Sequence, residues 1–194
     1  MKPISDWEAR YQAGNTGWDI GRVSTPLKTY FDQLSDQSQK ILIPGGGNGY
    51  EAAYLFKKKF KNTFLLDIAA SPLRNFKSKL PEFPESNLIC ENFFDHRGSY
   101  DLIVEQTFFC AIDPKHRAAY AKKAHQLLKT NGKLVGLLWS VPMNHDHPPF
   151  GGNKAEYHQY FDPYFNYLHF EPAANSIPER AGRELFLCAK KKVN

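Results

Sequence analysis

The sequence predicts an α/β fold: a mainly parallel seven-stranded sheet with helices on both faces and an antiparallel hairpin at its C-terminal edge. Three observations predict it. Short apolar runs alternate with segments of helical spacing from residue 40 onward, and the first run ends in the glycine cluster Gly45-Gly46-Gly47-Asn48-Gly49. The last two strand-like runs, 164–170 and 184–189, have only a loop between them, which implies antiparallel pairing.

Taken in order, Ser5 and Glu8 have capping-box spacing, so a short helix should start there. After the turn Gly14-Asn15-Thr16-Gly17, Thr25-Pro26 puts proline at the first position of a helix running to about residue 34. Residues 40–44 read as a buried parallel strand, 48–58 as the helix after its turn, and 63–67 as a second strand ending in an acid. Ser71-Pro72 should cap the next helix, and strands follow at 87–91 and 100–105. From Pro114, Ala118, Ala121, Ala124 and Leu128 recur at helical steps, with Asn131-Gly132 as the stop. A fifth strand at 133–139, a Pro/Gly/His loop over 141–152, a helix at 154–161 and the two late strands complete the chain.

At 194 residues with 42% hydrophobic, 14% aromatic and 23% charged content, the chain has material for one domain and excludes disordered or collagen-like architectures. No apolar run approaches the ~20 residues of a membrane helix, and MKPISDWEARYQ lacks the apolar stretch of a secretory signal, so a cytoplasmic protein without a membrane partner is expected. Cys90, Cys110 and Cys188 form no CxxC pair, and His145-Asp146-His147 has no further ligands at useful spacing, so neither disulfide framework nor metal is expected. The net charge of +5 owes much to Lys57-Lys58-Lys59 and Lys190-Lys191-Lys192, which read as solvated runs rather than a nucleic-acid surface. A basic balance also suits a small anionic substrate. A monomer is expected.

The glycine turn lies at the carboxyl end of the first strand, where open α/β sheets bind ligands. Gly45, Gly47 and Gly49 spell GxGxG, and the dinucleotide fingerprint would need glycine where Tyr50 stands. A phosphate-bearing coenzyme sits on the helix N-terminus, whereas a cofactor without phosphates needs only close backbone approach, so the spelling favours S-adenosylmethionine over NAD. Asp67, 22 residues after Gly45, has the spacing of an acid that bonds ribose hydroxyls, though an aspartate there can also cap a turn. Asn92 and Phe93 follow the third strand, where they can receive an adenine ring or simply make a turn and a core contact. Glu105 closes the fourth strand and can face the amino end of the cofactor's methionine moiety or be an ordinary bonded carboxylate.

These residues resemble the thiopurine S-methyltransferase-like enzymes, including the plant thiol and halide methyltransferases. The matching stretches are WEARYQAGNTGWDIGRVSTPL, ILIPGGGNGYE, LLDIAASPL, DLIVEQTFFCAIDPKHRAAYAKKAHQLLKTNGKLV, HPPFG and SIPERAG, spanning residues 7–182. The resemblance implies a Rossmann-like class I methyltransferase core over residues 39–194, with residues 1–38 as a helical cap over the cofactor site. It implies S-adenosylmethionine as methyl donor, S-adenosylhomocysteine as product, and cofactor contacts at Trp7, Tyr11, Trp18, Gly45, Asp67, Asn92, Phe93 and Gln106. Three positions depart from the pattern. Many members have aspartate where Asn92 stands, animal members have arginine where Gln106 stands, and plant members have tryptophan where Tyr11 stands. The Gln106 departure argues against aromatic thiopurine-like acceptors.

Soft nucleophiles such as thiolate, hydrosulfide, iodide or thiocyanate reach a sulfonium methyl group without a proton to lose, so no obligatory general base is expected. Trp7, Tyr11 and Trp18 can offer ring faces to the sulfonium and shut out water, or can simply anchor the N-terminal helix. Arg22 and Arg180 are the basic residues placed near the substrate mouth, with surface ion pairing the equal alternative; Arg117 reads as structural. Cys110, in apolar surroundings, reads as packing. The expected function is methyl transfer to a small soft nucleophile, sulfur first and halide second. The alternatives are methylation of oxygen or nitrogen on a small metabolite, and a non-catalytic S-adenosylmethionine binder.

Overall fold

The computed structural model describes residues 3–193. Its sheet has seven strands in the order β3-β2-β1-β4-β5-β7-β6: β1 (Ile41–Pro44), β2 (Thr63–Asp67), β3 (Leu88–Cys90), β4 (Tyr100–Gln106), β5 (Leu128–Trp139), β6 (Phe165–Pro172) and β7 (Glu184–Lys191). The first five pair in parallel, and β7 inserts antiparallel between β5 and β6. The order reverses between β1 and β4, so their carboxyl ends diverge and open a crevice there.

Helices α1 (Trp7–Gln12), α2 (Thr25–Asp32), α3 (Tyr50–Lys57), α4 (Ala70–Lys79), α5 (Arg117–Leu127) and α6 (Lys154–Phe161) cover the sheet. Because successive strand residues point to opposite faces, each central strand feeds two cores. Leu42 and Ile103 join Tyr120, Ala124 and Phe161 of α5 and α6. Ile41, Leu65 and Val104 join Leu27, Phe31, Leu55 and Phe76 of α2, α3 and α4. Each fully buried side chain of this kind contributes ~1.5–3 kcal/mol relative to exposure, so the frame behind the crevice is rigid. Among the described residues no helix is long and apolar enough to cross a membrane.

Three local expectations are corrected. Asp6, not Ser5, caps α1 by accepting from Ala9 N at 3.0 Å; Glu8 reaches instead to α4, where its carboxylate takes both the backbone N–H and the hydroxyl of Ser71. Ser71 therefore sits inside the first turn of α4, and Ala69 is the cap residue. Finally, α5 ends at Leu127, and Leu128 already pairs with Tyr100 of β4. Asn131, at φ +67°, turns within the irregularity that lets Lys133 resume pairing with Leu102.

Candidate functional site

At the end of β1 the backbone turns through Gly45 and Gly47 with φ of +58° and +51°, a region costly for side-chain-bearing residues. A Cβ on Gly45 would stand 2.3 Å from the Phe108 ring, and one on Gly47 2.2 Å from the Tyr11 hydroxyl. The turn is thus bare backbone facing a cavity of about 740 Å³, a size suited to a small-molecule site. Gly47→Ala is expected to weaken S-adenosylmethionine binding at least about tenfold, because the Cβ enters the cleft against the Tyr11 hydroxyl, while the left-handed backbone strain of ~1–3 kcal/mol falls on stability. Isothermal calorimetry at unchanged fold by circular dichroism checks this, and wild-type affinity would show that the turn is not approached.

Asp67, the last residue of β2, is 4% exposed. Its Oδ2 accepts from Gly47 N and its Oδ1 from Ala69 N, each at 2.9 Å, so the carboxylate ties the glycine turn to the start of α4. Burial pushes its carboxyl up from 3.8 to about 6 despite those bonds. The group lines the cavity with lone pairs left for hydroxyl donors.

Expected contacts at the end of β4 divide. Glu105 is 1% exposed and does not line the cavity. Its Oε1 accepts from Phe108 N and Phe109 N at 2.8 Å each, and its Oε2 from the Tyr120 hydroxyl at 2.7 Å. Burial raises it from 4.5 to about 7. The placement of Glu105 at the cofactor's amino end is therefore corrected: it props the 106–109 bend from beneath. Gln106, one residue on and so on the opposite face of the strand, lines a smaller cleft with Gly45, Gly46 and Gly47. Its Oε1 is buried with no hydrogen-bond donor among the described residues, an unfilled acceptor that fits an ammonium group.

Along the cavity's β3 side, Asn92 accepts from Phe94 N at 3.0 Å, while Phe93 is 2% exposed and packs on Phe108 at 5.4 Å between centroids. This stretch is fixed by His96, whose ring joins the Glu91 carboxylate and bonds the Tyr100 hydroxyl at 2.7 Å.

The N-terminal segment forms the opposite wall. Trp18 meets Trp7 and Tyr11 edge-on at 5.6 and 5.7 Å. The Arg10 guanidinium lies 5.3 and 4.9 Å from the two indole centroids, with its Nε buried and without a hydrogen-bond partner among the described residues. Asp19 holds the segment down by accepting from Asn48 at 2.5 Å and from the Tyr50 hydroxyl at 3.2 Å. Arg180 completes the closure: it donates to the Trp18 carbonyl at 2.8 Å and pairs with Glu184 at 3.3 Å. Arg22 lines both cavity and cleft, exposed and paired to no acid among the described residues.

Thus Trp7, Tyr11, Trp18, Gly45, Asp67, Asn92, Phe93, Arg22 and Arg180 line one cavity, Gly47 and Gln106 line the adjoining cleft, and Glu105 faces neither. Sequence reasoning missed Arg10, Trp139 and Arg183. Trp139 was accessible, being the last residue of β5 at the ligand-binding end of the sheet. Cys110 also lines the cavity, but its thiol donates to the Thr107 carbonyl at 3.2 Å and burial pushes it up to about 12, so it is no nucleophile. Arg117 is structural: buried, it bonds Glu156 at 2.7 Å and the Gly151 carbonyl at 2.9 Å.

Sheet order, glycine turn and terminal acid of β2 define a class I S-adenosylmethionine-dependent methyltransferase, and solved structures share the fold. The Burkholderia thailandensis 1,6-didemethyltoxoflavin-N1-methyltransferase, solved with S-adenosylhomocysteine, superposes with a TM-score of 0.81 at 15% identity, covering 98% of this chain and 87% of that one. A TehB-like S-adenosylmethionine-dependent methyltransferase from Corynebacterium glutamicum gives 0.67 at 17% identity, covering 97% and 98%. In sequence, the family described as Thiopurine S-methyltransferase (TPMT) matches residues 3–190, and the chain belongs to that family. Thiocyanate methyltransferase 1 of Brassica oleracea is 31% identical over 97% of this chain and 85% of its own. Probable thiol methyltransferase 2 of Arabidopsis thaliana is 28% identical over 81% and 71%. The protein uses S-adenosylmethionine to methylate a small molecule. The site fits that cofactor: a Cβ-free cradle, a buried acid for a ribose diol and an unfilled acceptor at Gln106 for an amine.

Proposed function

We propose that the methyl acceptor is the sulfur of a small thiol or sulfide, with thiocyanate and halide as secondary acceptors. The observation that carries this reading is the apolar, polarizable part of the cavity lining: Phe94 after β3, Cys110 and Ile112 after β4, Trp139 and Met143 at and after the end of β5, and Ile177 of the late loop. Such a wall favours a large soft nucleophile over a hydrated one. The names of the thiol and thiocyanate methyltransferase relatives support the same class.

In this reading Asp67 holds the ribose, Gln106 and the turn at Gly45 and Gly47 hold the methionine end, and Asn92 and Phe93 border the base. Residues 1–38 act as a cap, in which Trp7, Tyr11 and Trp18 place ring faces toward positive charge, each worth ~0.5–2 kcal/mol. Bound S-adenosylmethionine supplies an electrophilic methyl group and retains the bonding pair of the broken S–C bond as it becomes the thioether. The acceptor sulfur supplies the pair for the new S–C bond, and a neutral thiol first releases its proton to water or a base. What the chain contributes is alignment and exclusion of water, effects of ~7–11 kcal/mol in favourable cases.

Purified protein incubated with labelled donor and a panel of thiols, sulfide, thiocyanate and iodide tests the assignment, with products identified by mass. Methylated thiol and sulfide are expected. Turnover confined to hydroxyl or amine acceptors would overturn it, and cofactor binding without any transfer would indicate a binder. One observation favours the oxygen or nitrogen alternative: His116 lines the cavity with its ring 6.1 Å from that of Phe94, centroid to centroid. An imidazole so placed suits an acceptor that must lose a proton, and loss of turnover in His116→Gln with such acceptors alone would select that alternative.

A further inference from the structure

The late loop between β6 and β7 carries two arginines against one indole. The Arg180 and Arg183 guanidiniums lie 5.3 and 5.2 Å from the Trp139 ring centroid, and all three residues line the cavity. Their charges are not equivalent. Arg180 is buried and committed to Glu184 and the Trp18 carbonyl. Arg183 is exposed and meets no carboxylate among the described residues; its guanidinium donates to the Glu179 carbonyl at a long 3.4 Å. Its backbone is nonetheless fixed, since its carbonyl accepts from Ser140 N at 2.7 Å and its N–H donates to the Arg180 carbonyl at 3.0 Å. A guanidinium laid on an indole from a fixed backbone keeps its fork of donors free for a carboxylate.

Arg22 is the second uncommitted guanidinium at this mouth. The bond from Arg180 to the Trp18 carbonyl draws the segment that carries Arg22 against the late loop. The acids nearby are mostly engaged. Asp19 accepts from Asn48, Tyr50 and Gly21, and Asp113 pairs with Lys115. Among the described residues of this lining Glu179 is an exposed carboxylate with no ion pair, so the guanidiniums without an acid partner, Arg183 and Arg22 here and Arg10 on the N-terminal wall, outnumber the free acids.

We propose that the acceptor is a thiol bearing a carboxylate, and that Arg183, aided by Arg22, receives the carboxylate at the mouth while the sulfur points inward past Trp139. The proposal rests on the sulfur-acceptor reading and narrows it, because sulfide, thiocyanate and iodide have no second group for this seat to grip. Arg183 is then the residue that sets specificity, acting on an acceptor atom remote from the one that takes the methyl group.

The test compares kcat/KM for β-mercaptopropionate and n-butanethiol, which match closely in length and thiol acidity but differ in the tail charge. Wild-type protein is expected to favour the carboxylated thiol, and Arg183→Gln to reduce that preference about two- to fivefold, the scale of one exposed ion pair. Arg183→Lys should keep part of it, and Arg22→Gln should lower it less. Equal loss on both thiols in Arg183→Gln, no change in the ratio, or a wild-type enzyme indifferent to the carboxylate would each overturn the proposal while leaving thiol methylation standing. Methylation of thiocyanate or iodide with neither thiol turned over would overturn it too. No transfer to any soft nucleophile would remove the sulfur-acceptor reading itself.

Discussion

Replacing Asp67 with alanine is expected to lower S-adenosylmethionine affinity by at least about tenfold, since hydrogen bonds to an ionised group contribute ~1.5–3 kcal/mol each and a ribose offers two hydroxyls. The substitution also removes the acceptor that joins Gly47 N to Ala69 N, so the glycine turn loses its brace together with the ligand contact. Asp67→Asn is the milder change: its one amide oxygen can still accept from Gly47 N, but it carries no charge and its NH2 cannot accept from Ala69 N. Burial gives this site a pH dependence of definite sign. The folded carboxyl titrates near 6 and the unfolded one near 3.8, so between those values the folded state holds a proton that the unfolded state has lost. The contribution of Asp67 to stability therefore falls as pH rises through that window and is constant above it. Cofactor affinity moves the other way, rising from pH 5 to pH 7.5 as the carboxylate ionises and accepts from both hydroxyls. Calorimetry at those two values checks this; Asp67→Asn should show a flatter profile. A wild-type affinity unchanged in Asp67→Ala would remove the residue from the site.

How far the sequence could be read depended on whether an element's determinants were local. The span 63–67 lies between turn residues, and β2 has those bounds; α6 begins after Asn153, whose side chain accepts from Glu156 N at 3.0 Å. The misassigned caps have distant partners. Glu8 and Ser71 are 63 positions apart, and their bond competes with the local pairing of Glu8 with Ser5 that spacing suggests. The stop at Asn131-Gly132 was a true turn signal attached to the wrong element, because Leu128 gains more as a strand residue beside Tyr100 than as another helical position. In the site, glycine spacing and the acid after β2 were legible since backbone conformation is encoded residue by residue. Glu105 and Gln106 could not be told apart without knowing which face of β4 meets the glycine turn. Arg183 carried no signal, because its position on Trp139 depends on a strand pairing that brings the late loop to the end of β5.

The same pairing sets the second large effect, at Arg180. Arg180 and Glu184 are 7% and 4% exposed in their side chains, and besides Arg180 the Glu184 carboxylate receives the Ser176 hydroxyl at 2.7 Å. Arg180→Met keeps the stem's bulk against Trp139 but leaves a buried carboxylate without its cation, a change that costs ~3–5 kcal/mol in comparable sites. At ~2–4 °C per kcal/mol for a chain of this size, Tm is expected to fall by about 10 °C. The double variant Arg180→Met with Glu184→Leu removes both charges, so most of the lost stability should return. What cannot return is the bond to the Trp18 carbonyl, the tie between the late loop and the N-terminal wall. The double variant should therefore melt near wild type yet bind S-adenosylmethionine more weakly, because Trp18 orients Trp7 and Tyr11 through its edge contacts. Differential scanning calorimetry and ligand titration read the two quantities separately. A single variant with unchanged Tm would show that the ion pair contributes nothing net, and a double variant with wild-type cofactor affinity would show that the N-terminal wall keeps its place without Arg180, held by contacts such as Asp19 on Asn48 and Tyr50 and Glu8 on Ser71.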